Sequence, residues 1–279
     1  LFDLGEFQQL IDKTEHLSES NNSDELLILR GNALLANGES EKAKSIFDEI
    51  LSNNPDSAEA LIGMARLSVS KSDFDSSMKL AETAITGSPG NVEALMFKAD
   101  LLRAQGKNEE ALAAYGEVIK QDAANIDAHI NRATIQISLR KFDDATNSIA
   151  AAQKISPDTL IVNYTLALLD FSLGKHSEAL ESVQKVLNAA PEHLPSILLA
   201  GAIQFSLGSH VQAERYLGAY LKSVPGNVYA NKLMASILVK KGSAGQAIHM
   251  LSPILGVVEG DPQLYGIAGE AYMQVKDFT

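Results

Sequence analysis

A period of 34 residues runs through nearly the whole of this chain, and it leaves few folds open. Shifted by that period, Gly106 falls on Gly38, Gly174, Gly208 and Gly242. Ala43, Ala111, Ala145, Ala179, Ala213 and Ala247 share one column, and Pro55, Pro89, Pro157, Pro191 and Pro225 share another. A third column is small throughout: Gly31, Ala65, Ala99, Ala133, Ala167, Gly201, Ala235 and Gly269. Columns this long mark stacked supersecondary units, not local propensity. Each unit holds two stretches with apolar residues at helical spacing. The first, such as "LPSILLAGAIQFSLG" at 194–208, ends at a glycine suited to a left-handed C′ position. The second ends at a proline, whose preceding residue disfavours the α region. Small residues belong where two helices cross closely, because a large side chain there would hold them apart.

The pattern resembles the tetratricopeptide (TPR) repeat. The residues that carry the resemblance are a large apolar at the fourth place (Leu27, Leu61, Leu95, Ile197), a small one at the eighth, Ala at the twentieth, an apolar or aromatic at the twenty-fourth (Phe47, Tyr115, Leu217) and Pro at the thirty-second. Full units span 24–57, 58–91, 92–125, 126–159, 160–193, 194–227 and 228–261. Residues 1–23 read as the second helix of a truncated unit, and 262–279 as a first helix without its partner. The resemblance implies an all-α, right-handed α–α superhelix forming one solenoid over 1–279, with seven full repeats and a partial one at each end. First helices would line its concave face and second helices its convex face. Departures from the pattern carry expectations of their own. Ala123 and Glu259 stand where proline is expected, so each second helix should run on by a turn. Pro253 should kink the last complete second helix, and Gly245 should weaken it. The 242–261 segment is therefore expected to be the least regular.

Composition narrows the function. With no cysteine among 279 residues, disulfides, thiolate zinc sites and cysteine nucleophiles are excluded. A net charge of −12, 6% aromatic content and no basic cluster argue against nucleic acid and anionic lipid. No apolar run reaches the roughly 18 residues of a membrane span, so direct membrane insertion is not expected. The chain opens on Leu1 without a charged and apolar leader and closes on "KDFT", where a helix should begin, so both ends read as cut.

In TPR proteins a peptide or partner helix lies in the concave groove, at roughly the second, fifth, sixth, ninth, twelfth and thirteenth places. In the first two units those places are mixed: Glu25, Ile28 and Asn32, then Glu59, Ile62 and Arg66. The middle is apolar, with Met96, Phe97, Ile130, Ile137, Tyr164, Leu168, Phe171, Leu198, Leu199 and Phe205. The last full unit adds Tyr229, Lys232 and Lys240. Half of such a stripe is expected to pack against adjacent first helices. The remainder predicts a protein or peptide segment with apolar side chains, such as a helix, as the ligand. The carboxylate clamp of chaperone-binding TPR proteins, with Lys at the fifth place and Asn at the ninth, is not assembled: Ile28 precedes Asn32, Ile62 precedes Arg66 and Met96 precedes Asp100.

Catalytic and metal motifs are thin, and a non-enzymatic scaffold without cofactor or metal is expected. His176 and His210 occupy equivalent places and could lie side by side, but no HExxH or carboxylate pair joins them; solvated turn residues are the expectation. The other histidines are His16, His129, His193 and His249. "SDFDSS" at 72–77 lacks the glycine and distal glutamate of a calcium loop, and reads as a helix N-terminus. Leu264, Ile267, Ala268 and Tyr272 on the unpaired last helix should leave an apolar face open to self-association.

Two longer phrases, "NVEALMFKADLLRAQGKNEEALAAYGEVIK" and "LLDFSLGKHSEALESVQKVL", are similar to the bacterial TPR lipoproteins of the exosortase (PEP-CTERM) system. That resemblance implies a periplasmic or envelope-anchored adaptor for protein sorting or exopolysaccharide export. A cytoplasmic assembly adaptor, or the repeat region of a larger enzyme, are the alternatives.

Overall fold

The computed structural model of the chain describes residues 7–14, 23–258 and 260–275. Among these, every regular element is a helix. Helix α1 covers 7–14. The first helices are α2 (Asp24–Ala36), α4 (Ala58–Ser70), α6 (Val92–Ala104), α8 (Ile126–Ser138), α10 (Leu160–Ser172), α12 (Leu194–Ser206), α14 (Val228–Lys240) and α16 (Pro262–Val275). The second helices are α3 (Ser40–Asn53), α5 (Phe74–Gly87), α7 (Asn108–Gln121), α9 (Phe142–Ile155), α11 (His176–Ala189), α13 (His210–Ser223) and α15 (Ala244–Leu255). The expected all-α helical-repeat fold is therefore the one observed.

Local chemistry fixes both ends of the first helices. Ser23, Ser57, Asn91, Asn125 and Asn227 each accept a hydrogen bond from the backbone N–H three residues on, at 2.9–3.4 Å. Such a cap satisfies an orphan donor and is worth about 1 kcal/mol. Beyond their C-termini the chain turns through a left-handed residue once per unit: Gly38, Ser72, Gly106, Arg140, Gly174, Gly208 and Gly242, with φ between 58° and 84°. The hydrogen bonds Glu39 N to Leu34 O and Gly38 N to Leu35 O close the paired turn that ends α2.

The small residues act as expected where helices cross. A Cβ on Gly31 or Gly63 would sit 2.6 or 2.5 Å from the Phe47 ring, so the fully buried phenylalanine fits only between two glycines. Gly201 stands in the same relation to Leu217, at 2.9 Å.

Three expectations need correction or completion. Helix α7 does not run on at Ala123; it ends at Gln121. Asp122 replaces the proline's effect by accepting from Ala124 N at 3.1 Å and Asn125 Nδ2 at 3.2 Å, which turns the chain. Glu259 lies outside the described residues. Pro253 sits inside α15, which has 12 residues where each preceding second helix from α3 to α13 has 14. The face of α16 is not open as expected. Leu264 and Ala268 are buried, and Ile267 and Tyr272 pack on the same core, because α14 and α15 already cover that side. Its exposed apolar residues are Tyr265, Met273 and Val275.

The chain divides into two compact units, Leu1–Ile135 and Gln136–Thr279. Unit 1 has cores around Phe47 and Ile50 and around Leu61, Ile62 and Ala84. Unit 2 has cores around Val183 and Ile203 and around Leu217, Ile237 and Leu251.

Candidate functional site

In unit 1, α2 packs on α4 and α4 on α6, with α8 reaching α6 through Asn131 and Asp100; in unit 2, α10, α12, α14 and α16 pack in turn, and the groove-facing places of these helices form the candidate face. The second place of each first helix lies at the start of this face. It is a carboxylate in α2, α4, α6 and α8 (Glu25, Glu59, Glu93, Asp127) and is uncharged in α10, α12, α14 and α16 (Ile161, Pro195, Tyr229, Gln263).

In unit 1 the face is polar and internally bonded. Arg66 donates to Asn32 Oδ1 at 3.2 Å and to Glu93 Oε1 at 2.8 Å. Asn91 Nδ2 donates to Glu59 at 3.2 Å, and Asn131 Nδ2 to Asp100 at 3.2 Å. The Tyr115 hydroxyl donates to Asp100 and accepts from Arg103 Nε at 3.2 Å. Burial, then the neighbouring Asp100 carboxylate, push that phenol far above its ordinary value. Of the apolar residues expected here, Met96 and Phe97 are half-buried, and Phe97 packs on the core. Ile62 and Ile130 are 0% and 2% exposed; both belong to the interior and not to the face.

In unit 2 the same face is apolar and cavitated. Tyr164, Leu168 and Phe171 of α10 meet Leu198 and Ala202 of α12 and Tyr229 of α14 around a cavity of about 280 Å³. Leu199 borders it but is 6% exposed and serves mainly the core. A second cavity, about 580 Å³, lies between α14 and α16 beside Phe205. Its walls include Tyr229, Leu233 and Ile267, with Lys232, Gln263 and Glu270 at its polar side. Tyr229, 44% exposed, lines both cavities. Lys232 Nζ lies 2.7 Å from Asp261 Oδ2, and both side chains are largely covered. That lysine, with the backbone N–H groups of Leu264 and Gln263, holds the Asp261 carboxyl below its ordinary value. Burial pushes the Tyr164 and Tyr229 phenols up. Ile137, on α8, is half-buried and lines neither cavity.

Three of the aromatic rings on this face rest against histidines. Tyr164 meets His193 edge-on with centroids 5.4 Å apart. Phe171 meets His176 at 5.5 Å and Phe205 meets His210 at 5.7 Å, both tilted by about 50°. Lys240 Nζ stands 5.2 Å over the Phe205 ring. His176 and His210 are therefore not solvated turn residues. Each opens its second helix with the ring folded onto the preceding phenylalanine, and the Nδ1 atoms are buried without a hydrogen-bond partner. Among the described residues no group of three or more His, Asp or Glu is arranged to hold a metal. Asp73 caps α5 by accepting from Ser76 N at 3.1 Å, which accounts for the 72–77 stretch.

Counting places in the repeat found Tyr164, Leu168, Phe171, Leu198, Phe205 and Tyr229. Ala202 at a ninth place and Leu233 and Ile267 at sixth places line the cavities as well, as the same count allows, although they are not among the residues expected there. The histidine supports lie outside the count. The second-place column was the available signal for Pro195 and for the change of character between units.

Comparison with known proteins bears on the fold. A family model described as "Tetratricopeptide repeat protein 21 N-terminal ARM repeat" matches residues 2–146. No curated protein matches the sequence. A solved chain of the APC/C hetero-tetramer Cut9–Hcn1 superposes with a TM-score of 0.81 at 14% identity, covering 95% of this chain and 52% of that one. This chain thus spans about half the length of that relative. A tetratricopeptide repeat protein from Parabacteroides merdae ATCC 43184 gives a TM-score of 0.62 at 21% identity, covering 79% and 87%. Pseudomonas aeruginosa PilF gives 0.67 at 18%, covering 76% and 96%. At these identities the likeness is one of fold.

Proposed function

We propose a function from one premise: the chain belongs to the family described by the tetratricopeptide repeat protein 21 N-terminal ARM repeat model, which matches more than half of it. The chain is a protein-interaction scaffold, and the first-helix face of unit 2 binds an apolar segment of a partner protein. The observation that carries this reading is the pair of cavities joined at Tyr229 and walled by Tyr164, Leu168, Phe171, Leu198 and Phe205. Half-buried aromatic rings around open space leave apolar area for a ligand to cover, at about 25 cal/mol per Å². Partner anchors of Leu, Met or Phe type suit such cavities. One relative's structure is that of a hetero-tetramer, an assembly built with a helical-repeat chain.

A narrower reading adds the bacterial envelope, as an adaptor for protein sorting or exopolysaccharide export. It rests on the phrases at 91–120 and 168–187. A lipobox cysteine behind a signal peptide in the complete reading frame supports it, and a cytoplasmic start overturns it.

Selection from a displayed peptide library tests the scaffold reading. Peptides enriched on the wild-type chain should carry two apolar anchors and bind a Tyr164→Glu/Phe171→Glu double variant at least about tenfold more weakly. Equal binding to both proteins removes the unit 2 face from the function.

A further inference from the structure

Charge is shared unequally between the two units. Leu1–Ile135 holds 23 of the 35 acidic and 12 of the 23 basic residues, a net of −11, which leaves −1 for Gln136–Thr279. Within unit 1, away from the first-helix face, a cleft of about 430 Å³ lies between α5 and α7 with α6 beneath it. Its floor is Leu95 and Leu102, 9% and 4% exposed, and Ile85 stands on the α5 side.

The α7 wall has an ordered composition. Glu110, Ala113, Ala114 and Glu117 stand at i, i+3, i+4 and i+7, one stripe of one helix. The small residues in the middle open the apolar floor. The carboxylates stand at the two ends, roughly 10 Å apart along the axis. Among the described residues Glu117 is engaged by Lys120, at 2.6 Å in an exposed i,i+3 pair that a stronger partner displaces readily. Lys98, which stands between Leu95 and Leu102 on α6, is held toward α5 by Glu82 at 2.9 Å, so its charge is met there and the acidic rim facing the cleft is that of α7.

We propose that this cleft docks a basic amphipathic segment of a partner protein, helical in form. One apolar side chain of the segment enters between Ala113 and Ala114, and two Lys or Arg side chains about seven residues apart meet Glu110 and Glu117. The net charge of unit 1 draws such a segment in, and the apolar floor between two carboxylates selects its spacing. A polyacidic surface alone would take any polycation. The site is independent of the unit 2 face, so either stands if the other fails.

The test uses the full chain and three synthetic peptides of about 18 residues: a helical peptide with an apolar stripe flanked by lysines, a scrambled version of the same composition, and a version with glutamates for lysines. Fluorescence anisotropy reads Kd at low and moderate salt. The amphipathic lysine peptide should bind about tenfold more tightly than the scrambled one and weaken as salt rises. Glu110→Lys/Glu117→Lys should reduce binding about tenfold through charge. Ala113→Trp, at an exposed site, should reduce it similarly by filling the cleft with charge unchanged. Tyr164→Glu/Phe171→Glu should leave it as it was. Equal binding of scrambled and amphipathic peptides, no binding of either, or a wild-type Kd in the Ala113→Trp protein overturns the proposal.

Discussion

The two units are built to one pattern, yet their equivalent faces differ in chemical character. In unit 1 the first helices begin with Glu25, Glu59, Glu93 and Asp127, and their face is tied by Asn32, Arg66, Glu93, Asp100 and Asn131 to partners within the unit. In unit 2 the equivalent starts are Ile161, Pro195, Tyr229 and Gln263, and the face is a pair of cavities lined by rings. Scaffold columns hold still while the remaining places are free to change. Function in such a chain is therefore carried by places that do not repeat, and the contrast between units is more informative than either alone.

The largest expected effect tests whether the units respond separately. Phe47→Ala removes a fully buried ring from unit 1 and should cost about 3–5 kcal/mol. Hydrogen exchange should speed in α2 to α4 while the core of α12 to α14 keeps its protection, because each repeat leans on its neighbours. Equal acceleration in both would merge them into one cooperative body.

Close crossings differ next. Gly63→Ala forces a methyl group against the Phe47 ring and should destabilise by about 2–3 kcal/mol, with Gly201→Ala costing nearer 1 because the leucine side chain can move. Denaturant midpoints rank the two, and a reversed order would contradict the packing described here.

Smaller and of opposite sign are the left-handed positions that lack glycine, one in each unit. Ser72→Gly and Arg140→Gly should each stabilise by about 0.5–1 kcal/mol, since φ of 61° and 58° is strained for an L side chain. Gly174→Ala at the equivalent place should destabilise by a similar amount.

The smallest effect depends on pH. Burial pushes the Asp170 carboxyl up, with Lys175 opposing and Glu178 adding to the shift. The folded state therefore keeps the proton to higher pH than the unfolded chain, and this group's contribution falls as pH rises from the ordinary carboxylate value through the raised one. Asp170→Asn should match wild type in acid and gain on it through that window. Asp261 runs the other way. Its lowered value adds stability above the ordinary carboxylate range, lost as pH falls, and Asp261→Asn should lose ground toward neutrality.

Much of the fold was legible because backbone geometry demands particular residues. Glycine marked five of the seven left-handed turns that follow first helices; Ser72 and Arg140 hid the other two by adopting the strained conformation. The Ser and Asn column at Ser23, Ser57, Asn91, Asn125 and Asn227 carries the helix starts in the sequence as plainly as the prolines carry the ends. Ala123 misled because Asp122 and Asn125 turn the chain by side-chain hydrogen bonds that proline would make unnecessary. On the candidate face, helical spacing placed Tyr164, Leu168 and Phe171 on one side of α10. Spacing does not say how far the next first helix overlaps that side, and so Ile62, Ile130 and Leu199 passed into the core. The Phe171–His176 and Phe205–His210 contacts cross a turn between helices, where no period operates.

The contrast between faces is tested most directly by one titration. A peptide selected on the wild-type chain is measured against Tyr164→Glu/Phe171→Glu in unit 2 and against Glu59→Gln/Glu93→Gln in unit 1. The account predicts at least about a tenfold rise in Kd for the first protein and less than about a twofold change for the second. A comparable loss in both, or a loss confined to the unit 1 variant, would contradict it.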